Sequence, residues 1–188
     1  EVVVVAPVVA GPGFVLRGDA DKAVSITGIE PDSYLRLIAL EAQMIAGSAK
    51  VGSDDILIGT ELGKNLGVGL GDKLILQTAS KASATLTVCG IFDFGNKGIN
   101  ERSVYVALRT AQSLLNLPGG ATSVELNVRK PFDAEIVAQS ISAQTGLDVE
   151  SWIVLNAQFF SALQAQSMSN FIIRFFVGLT AALGIASV

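Results

Sequence analysis

The sequence predicts an α+β fold, and three observations lead to that prediction. Strand patterns and helix patterns alternate along the 188 residues, without a long parallel array or a fixed repeat. Hydrophobic residues make up 50% of the chain, which is enough for a sizeable core. Residues 171–188 carry a single charge, Arg174, and differ from everything before them. We therefore expect a compact domain over residues 1–165 and a different kind of segment over residues 166–188.

The chain opens with a strand pattern. Residues 2–9 are almost wholly apolar and rich in valine, which favours a buried strand. Pro7 and the Gly-Pro-Gly run at residues 11–13 are expected to end that strand, because proline cannot donate to a sheet ladder and glycine favours turns. Residues 14–17 and 23–29 are then predicted to form short strands around a polar turn.

The next part of the chain predicts a helix and a second buried strand. The Glu-Pro-Asp-Ser sequence at residues 30–33 indicates a turn that leads into a helix over residues 34–40. Asp32 or Ser33 is expected to be the N-cap, because a short polar side chain can accept a hydrogen bond from the first turn. Residues 56–58, Ile-Leu-Ile, follow as a short buried strand.

The middle of the chain continues the alternation. A helix is predicted from Thr60 to Leu66, and Gly67 is expected to end it because glycine readily adopts the left-handed conformation of a helix C-cap. Residues 73–77 and 85–91 are predicted strands joined by a short hairpin loop. Residues 104–108 form another strand pattern.

Two amphipathic patterns follow. Leu108, Ala111 and Leu115 share one face of a predicted helix. Residues 124–128 alternate apolar and polar side chains, which predicts a half-buried strand.

A further helix is predicted to begin at Pro131, since proline is favoured in the first helical turn. Phe132, Ile136 and Ile141 are expected to form its inner stripe, and Gly146 is expected to end it.

The C-terminal run predicts a transmembrane helix. After an extended stretch at residues 148–154, a helix is expected to begin at Asn156 and run unbroken to residue 188. Residues 171–188 would extend about 27 Å as a helix, which nearly matches a hydrocarbon core of about 30 Å. We therefore expect a polar domain cut from a larger membrane protein. The alternative is a fully buried C-terminal helix.

Aromatic residues precede this run. Trp152, Phe159 and Phe160 fit either the interface belt of a membrane protein or core anchors for the last helix. Residues 156–170 are polar but uncharged, which suits a stalk just outside a bilayer.

The chemical inventory argues against an enzyme. The chain has no histidine, which excludes Ser-His-Asp and Cys-His catalysis and His-ligated zinc. Its net charge of −4 and the lack of a Lys/Arg cluster argue against nucleic acid and anionic membrane surfaces. No catalytic, cofactor-binding or metal-binding residue is therefore expected.

Four weaker candidates have plain structural interpretations. Cys89 alternates with Val88 in a predicted strand, so a small buried hydrophobe is favoured over a nucleophile. Asp54 and Asp55 could hold a divalent cation, but solvated acids are ordinary in such a Gly-Ser turn. The glycines at residues 67–71 lack the order of a phosphate-binding loop and fit a helix end and tight turns. Glu61 and Lys64, three residues apart, predict an exposed ion pair.

Four stretches of the chain carry a family resemblance: ILIGTELGKNLGVGLGDKLILQ, LTVCGIFDFG, SVYVALRTAQSLLNLPG and WIVLNAQFFSALQAQSMSNFIIRFF. Together they resemble the extracytoplasmic domain of FtsX/MacB-type ABC transporter permeases. Within that family, the sequence looks closest to LolC/LolE-like lipoprotein-releasing permeases and their relatives. The resemblance covers nearly the whole chain.

The resemblance implies an architecture and a set of partners. It implies a MacB-like periplasmic core domain of two lobes, porter-like and Sabre-like, with an inserted lobe at about residues 34–90. Residues 166–188 would be the stalk and the truncated second transmembrane helix of a bacterial inner-membrane protein. The implied partners are a cytoplasmic ABC ATPase subunit, a second permease protomer, and a periplasmic adaptor or carrier.

The resemblance also implies a function. ATP-driven closure would move the transmembrane helices as levers, coupling cytoplasmic ATP hydrolysis to the export or release of a lipoprotein, lipid or similar substrate. The alternative is an FtsX-like regulator that transmits ATPase motion to cell-wall hydrolases. An enzyme tethered by one helix is disfavoured by the lack of histidine.

One departure from the LolC pattern stands out. LolC carries an extended hairpin that hooks a periplasmic carrier, between strands that match residues 73–77 and 85–91. Here the linking segment, residues 78–84, is too short for a long arm. The polar loop at residues 93–102 is the next candidate for a partner contact.

Overall fold

The computed structural model describes residues 2–157 together with residues 166, 168, 172–174, 176 and 177. The chain divides into two compact units, residues 2–127 and the part from Val128 onward, and each is described by itself. Strands and helices both occur along the described chain, so the predicted mixture of α and β structure is confirmed. The two predicted lobes and the inserted lobe at about residues 34–90 stay predictions.

The strands and helices alternate as the sequence patterns indicated. The strands are β1 (Val2–Arg17), β2 (Ala20–Ile29), β3 (Met44–Gly47), β4 (Asp55–Gly59), β5 (Lys73–Thr78), β6 (Ser83–Phe92), β7 (Ser103–Ala107) and β8 (Ser123–Val128). The α-helices are α1 (Pro31–Leu37), α2 (Thr60–Leu66), α3 (Lys97–Arg102), α4 (Leu108–Leu114), α5 (Ala134–Thr145) and α6 (Trp152–Leu155). Short 3-10 turns span Leu40–Gln43 and Pro131–Asp133.

Six of the strands form a closed ring. The sheet order is β2-β7-β4-β6-β5-β1, and β1 also pairs with β2, which joins the two ends of that path. The β2–β7 and β4–β6 pairs are parallel, and the other pairs in the ring are antiparallel. β8 pairs with β1 and β3 pairs with β6 outside the ring. Residues 2–127 are therefore a small mixed barrel with two extra strands.

Alternation along the strands creates two separate cores. In β4, Ile56 and Ile58 belong to one hydrophobic cluster, whereas Leu57 between them belongs to the other. Successive strand side chains point to opposite faces of a sheet, so one cluster lies on each side of this strand. All three side chains are 0% exposed. This double burial explains why residues 56–58 lack any polar position.

The prediction that β1 ends near Pro7 is wrong. β1 runs unbroken to Arg17, passing through Pro7 and the Gly-Pro-Gly run. The glycine at 13 is needed for close packing, because a Cβ there would lie 2.9 Å from the Gln77 carbonyl oxygen of β5. Gly13 therefore lets β1 lie close to both β2 and β5. A glycine inside a strand is here a sign of close backbone approach.

Three other local predictions need correction. The first helix begins at Pro31 with Glu30 as its N-cap, while the Ser33 hydroxyl donates to the Glu30 carbonyl at 3.2 Å. Residues 148–154 are not extended throughout, since α6 begins at Trp152. The loop predicted at residues 93–102 contains α3 over its second half.

The unit that begins at Val128 contains α5 and α6. The predicted inner stripe of α5 is wrong: Phe132 is 77% exposed and Ile136 is 69% exposed. The buried residues are instead Ala134, Val137 and Ala138. The sequence pattern identified a helix but assigned its inner face by residue size, and the helix buries its smaller side chains.

Aromatic and polar contacts join the start of α6 to α5 and to the 3-10 turn that precedes it. The Trp152 ring lies 6.2 Å from that of Phe132, and the Trp152 indole donates to the Pro131 carbonyl at 2.8 Å. The Ser151 hydroxyl caps α6 and donates to a Glu135 carboxylate oxygen at 2.5 Å.

Most of the predicted C-terminal helix lies outside the described residues, as do Phe159 and Phe160. Arg174 is described, and it is helical and exposed. Within the described residues, no helix has both the length and the apolar character needed to span a membrane.

Candidate partner-binding loop

The Asp93–Arg102 segment, which the sequence singled out as a contact loop, is held by a network of side-chain hydrogen bonds. Asp93 accepts two hydrogen bonds at one carboxylate oxygen, from the Gly95 backbone at 2.7 Å and from the Asn100 side chain at 2.6 Å. The side-chain amide oxygen Oδ1 of Asn100 accepts in turn from the Phe94 backbone N–H at 3.0 Å. Because Asn100 is only 3% exposed, this network fixes the loop from inside.

A side-chain cap and a close backbone contact complete the loop. Asn96 accepts a hydrogen bond from the Ile99 backbone at 3.2 Å and so caps α3. The loop also packs directly on the end of β4, since a Cβ at Gly59 would lie 2.6 Å from the Asn100 Cα. Only glycine at position 59 allows that approach.

The electrostatics keep Asp93 ionised. The Gly95 backbone N–H, and then the Asn100 amide and the Thr60 hydroxyl, hold the pKa of Asp93 below its ordinary value. Hydrogen bonds to a carboxylate favour its charged form. The network therefore persists at neutral pH.

The tip of the loop presents side chains to solvent. Lys97 and Ile99 are both exposed, Ile99 by 43%. A side chain held by a prearranged loop loses little conformational freedom on binding. An exposed isoleucine beside a lysine on such a loop is therefore suited to contact a protein partner.

Glu101 joins the loop to its surroundings. Its carboxylate accepts from the Asn65 side chain of α2 at 3.1 Å and lies 3.9 Å from the Lys22 ammonium of β2. The Glu101 side chain therefore links α3 to α2 and to β2.

The other sequence candidates occupy separate places. Asp55 opens β4 and accepts from the Gly52 backbone at 2.9 Å, next to Asp54 in the turn. Among the described residues, no group of three or more His, Cys, Asp or Glu side chains is placed to hold a metal ion. Lys64 and Glu61 form the predicted exposed ion pair at 2.7 Å.

Cys89 is half-buried, less than the buried side chain that the sequence favoured, whereas the glycine-rich segment contains the predicted helix end. Burial raises the pKa of the Cys89 thiol to about 11, so it is a poor nucleophile at neutral pH. Gly67 ends α2 in the left-handed conformation. The β5–β6 loop is short, with only residues 79–82 between the two strands.

Sequence reasoning missed two anchoring residues. Asn100 was one residue in a polar loop, and only the structure reveals that it is buried. Arg17 extends from the end of β1 and donates to the carbonyl oxygens of Leu66 and Gly67 at the C-terminus of α2. It also pairs with Asp72 at 3.4 Å. A cation near the C-terminus of a helix is a recognisable signal, but this one comes from a strand about 50 residues away.

The comparisons with known sequences agree with the resemblance. Residues 1–144 match the family model described as MacB-like periplasmic core domain. The lipoprotein-releasing system transmembrane protein LolC of Xylella fastidiosa is 27% identical over 165 residues, covering 80% of this chain and 40% of the relative. LolC of Neisseria meningitidis serogroup B is 22% identical over 197 aligned residues, covering 97% and 48%. The chain therefore spans less than half the length of these curated relatives.

Solved structures share the fold at low sequence identity. The extracellular domain of the noncanonic ABC-type transporter YknZ from Gram-positive bacteria aligns with a TM-score of 0.56 and 13% identity, covering 80% of this chain and 79% of that one. The periplasmic region of MacB from Actinobacillus actinomycetemcomitans aligns with a TM-score of 0.53 and 13% identity, covering 77% and 68%. Together with the match over residues 1–144, this means that the chain belongs to the MacB-like periplasmic core domain family of FtsX/MacB-type ABC transporter permeases and is related to LolC.

Proposed function

We propose that this chain is the extracytoplasmic domain of a permease that couples cytoplasmic ATP hydrolysis to the release or export of a lipoprotein, lipid or similar substrate. The observation that carries the proposal is the family match over residues 1–144, combined with LolC relatives that align over most of the chain. The permease works with a cytoplasmic ABC ATPase and a second protomer in the inner membrane, and this domain faces the periplasm.

The contact loop gives the proposal a mechanical basis. A domain that transmits force needs surfaces that do not deform, and the Asp93–Asn100 network makes residues 93–102 such a surface. Ile99 at its tip is the contact that we assign to a periplasmic partner or to the second protomer. The predicted lever, residues 156–188, would deliver the motion from the membrane.

The short β5–β6 loop argues against recruitment of a carrier by an extended hairpin. Residues 79–82 cannot form a long arm, so recruitment of a carrier depends on another surface. A second candidate function therefore remains, that of an FtsX-like regulator of cell-wall hydrolases. It is favoured by the charged α3, where Lys97, Glu101 and Arg102 lie on a rigid contact loop.

The test uses the full-length permease, expressed with its ATPase subunit in cells depleted of the native copy. With Ile99→Asp we expect at least about a tenfold loss of lipoprotein release from the inner membrane, because a buried carboxylate at a contact is strongly disfavoured. Ile45→Asp is the matched control, since Ile45 is exposed by 67% on β3. It should leave release unchanged.

Two outcomes separate the candidates. Normal lipoprotein release combined with loss of wall-hydrolase activation on depletion would select the FtsX-like regulator. Equal effects of Ile99→Asp and Ile45→Asp on lipoprotein release would show that the contact loop has no specific role in it.

A further inference from the structure

The short helix α6 is the element that stands directly before the predicted lever, residues 156–188. It has four residues, Trp152–Leu155, and none of them is buried. Val154 and Leu155 are 52% and 67% exposed. A helix of a single turn is not stable by itself in water, and this one gains little from apolar burial. Other contacts therefore hold α6 in place.

Ser151 anchors the start of α6. It is 4% exposed, and its hydroxyl donates to a Glu135 carboxylate oxygen at 2.5 Å. The same hydroxyl accepts from the Val154 backbone N–H at 3.3 Å, so it also caps the helix. One small side chain thus fastens α6 to α5 and begins its single turn.

The acceptor on α5 is a charged group. The Gln139 amide donates to the other Glu135 carboxylate oxygen at 2.9 Å. The Ser151 hydroxyl, and then the Gln139 amide, hold the pKa of Glu135 below its ordinary value. Hydrogen bonds to a charged group are stronger than those between neutral groups. The Ser151–Glu135 hydrogen bond therefore contributes more to the attachment of α6 than an ordinary surface hydrogen bond does.

Trp152 adds two contacts with the 3-10 turn before α5. Its indole N–H donates to the Pro131 carbonyl oxygen at 2.8 Å, and its ring lies 6.2 Å from the Phe132 ring. Phe132 is 77% exposed and Trp152 is 39% exposed, so these contacts lie at the surface. Contacts that water reaches open at a lower free energy than those of a core.

We propose that α6 is a latch, which detaches from α5 by local opening while the rest of the protein stays folded. Local opening occurs where few apolar side chains are buried and where hydrogen bonds lie near solvent, and α6 meets both conditions. The attachment depends on directional hydrogen bonds, which are either made or broken. The latch therefore has two discrete states, closed and open.

The latch rests on the proposed function for its purpose. Residues 156–188 are the predicted lever, and α6 directly precedes them in the chain, so a displacement of the lever reaches α6 first. With the latch closed, the displacement passes to α5 through Ser151 and Trp152. With the latch open, the lever moves without α5. The latch thus sets how much of the ATPase motion is transmitted.

Trp152 is the single tryptophan of the 188-residue chain, so its fluorescence reports on the latch directly. The test follows urea denaturation of this full chain by Trp152 emission and by far-UV circular dichroism. We expect the emission to shift to the red at a lower urea concentration than the loss of ellipticity. Ser151→Ala should raise the equilibrium constant for opening about tenfold, because it removes a hydrogen bond to a charged group. It should leave the ellipticity transition in place.

Ser140→Ala is the matched control. The Ser140 hydroxyl accepts from the Gln144 side chain at 3.1 Å, at an exposed position of α5. This variant loses a serine hydrogen bond of the same unit but keeps Ser151 and Glu135, so the emission transition should stay where it is. Coincident emission and ellipticity transitions in the wild type, or equal shifts of the emission transition with Ser140→Ala and Ser151→Ala, would overturn the proposal.

A second measurement requires no variant. Hydrogen exchange followed by NMR detects the Trp152 indole N–H and the amides of Leu155 and Asn156, which donate to the Ser151 and Trp152 carbonyl oxygens. These protons should exchange together and be at least about tenfold less protected than the amide of Ile58, because a latch opens far more often than a core strand. Equal protection of the indole N–H and the Ile58 amide would contradict local opening.

The role in coupling is tested in the full-length permease with its ATPase subunit. Ser151→Ala should lower lipoprotein release per ATP hydrolysed at least about threefold, because a larger share of the molecules has an open latch, while the rate of ATP hydrolysis stays the same. Unchanged release by Ser151→Ala would refute this role of the latch. Absence of lipoprotein release by the wild-type permease would instead count against the proposed function.

Discussion

Residues 2–127 contain many fully buried large apolar side chains, whereas the largest apolar side chains just after Val128 are exposed. In β4 and α2, Ile58 and Leu62 are 0% exposed, whereas around α5 Phe132 and Ile136 are 77% and 69% exposed. The ring of six strands closes on itself, so each strand finds apolar partners within the ring. α5 buries only small residues and valine. The first unit therefore encloses a core of large side chains, while around α5 the large apolar side chains lie at the surface.

The largest expected effect tests this difference directly. Leu62→Ala should lower the free energy of unfolding by about 3 kcal/mol, because it removes a fully buried side chain and leaves a cavity. Ile136→Ala should change it by less than about 0.5 kcal/mol, since exposed positions contribute little. Urea denaturation followed by far-UV circular dichroism measures both.

The comparison fails if Ile136→Ala costs more than about 1.5 kcal/mol. Such a result would mean that α5 is covered in solution, and that its apolar face is part of a core.

An intermediate effect is expected at the contact loop. Asn100→Ala should destabilise residues 2–127 by about 2 kcal/mol, because it leaves the Phe94 N–H without its side-chain acceptor and removes one of the hydrogen bonds to the Asp93 carboxylate. Asn127→Ala, at an exposed position of β8, is the control and should be nearly neutral. The same urea titration compares them, and equal costs would contradict the claim that the loop is fixed from inside.

The smallest expected effect concerns Glu125 on β8. Burial raises its pKa above the ordinary value, so folding disfavours its ionised form. The penalty is absent well below the unfolded-state pKa of about 4.3, grows as the pH rises through the raised pKa, and is then constant.

Glu125→Gln should therefore be slightly more stable than the wild type at pH 7, and the difference should vanish at low pH. Thermal unfolding from pH 3 to pH 8 measures this. A variant that loses stability on approach to neutral pH as steeply as the wild type would show that another group causes the loss.

Much of the fold could be predicted from local patterns. The β4 strand, the α2 helix with its end at Gly67, and the β5–β6 hairpin all appear where the sequence placed them. Each depends on residues within a few positions of one another, because helix caps, strand alternation and hairpin loops are local interactions. The family resemblance was also visible in short motifs.

What local patterns could not predict are the features made by distant residues. The Gly-Pro-Gly run was read as a turn, although it lies within β1 where three strands meet closely. The inner face of α5 was assigned to its largest side chains, although the helix buries Val137 and Ala138.

By itself, the sequence determined the α+β class, the family and the absence of histidine chemistry, because these depend on composition and on neighbouring residues. Only the tertiary structure decided that the strands close into a ring and that Asn100 is buried beneath the contact loop. Each of these brings together residues that are far apart in the chain, as Gly13 and Thr78 are in the β1–β5 pair. Such contacts follow from how whole strands pack, and no short window of sequence contains them.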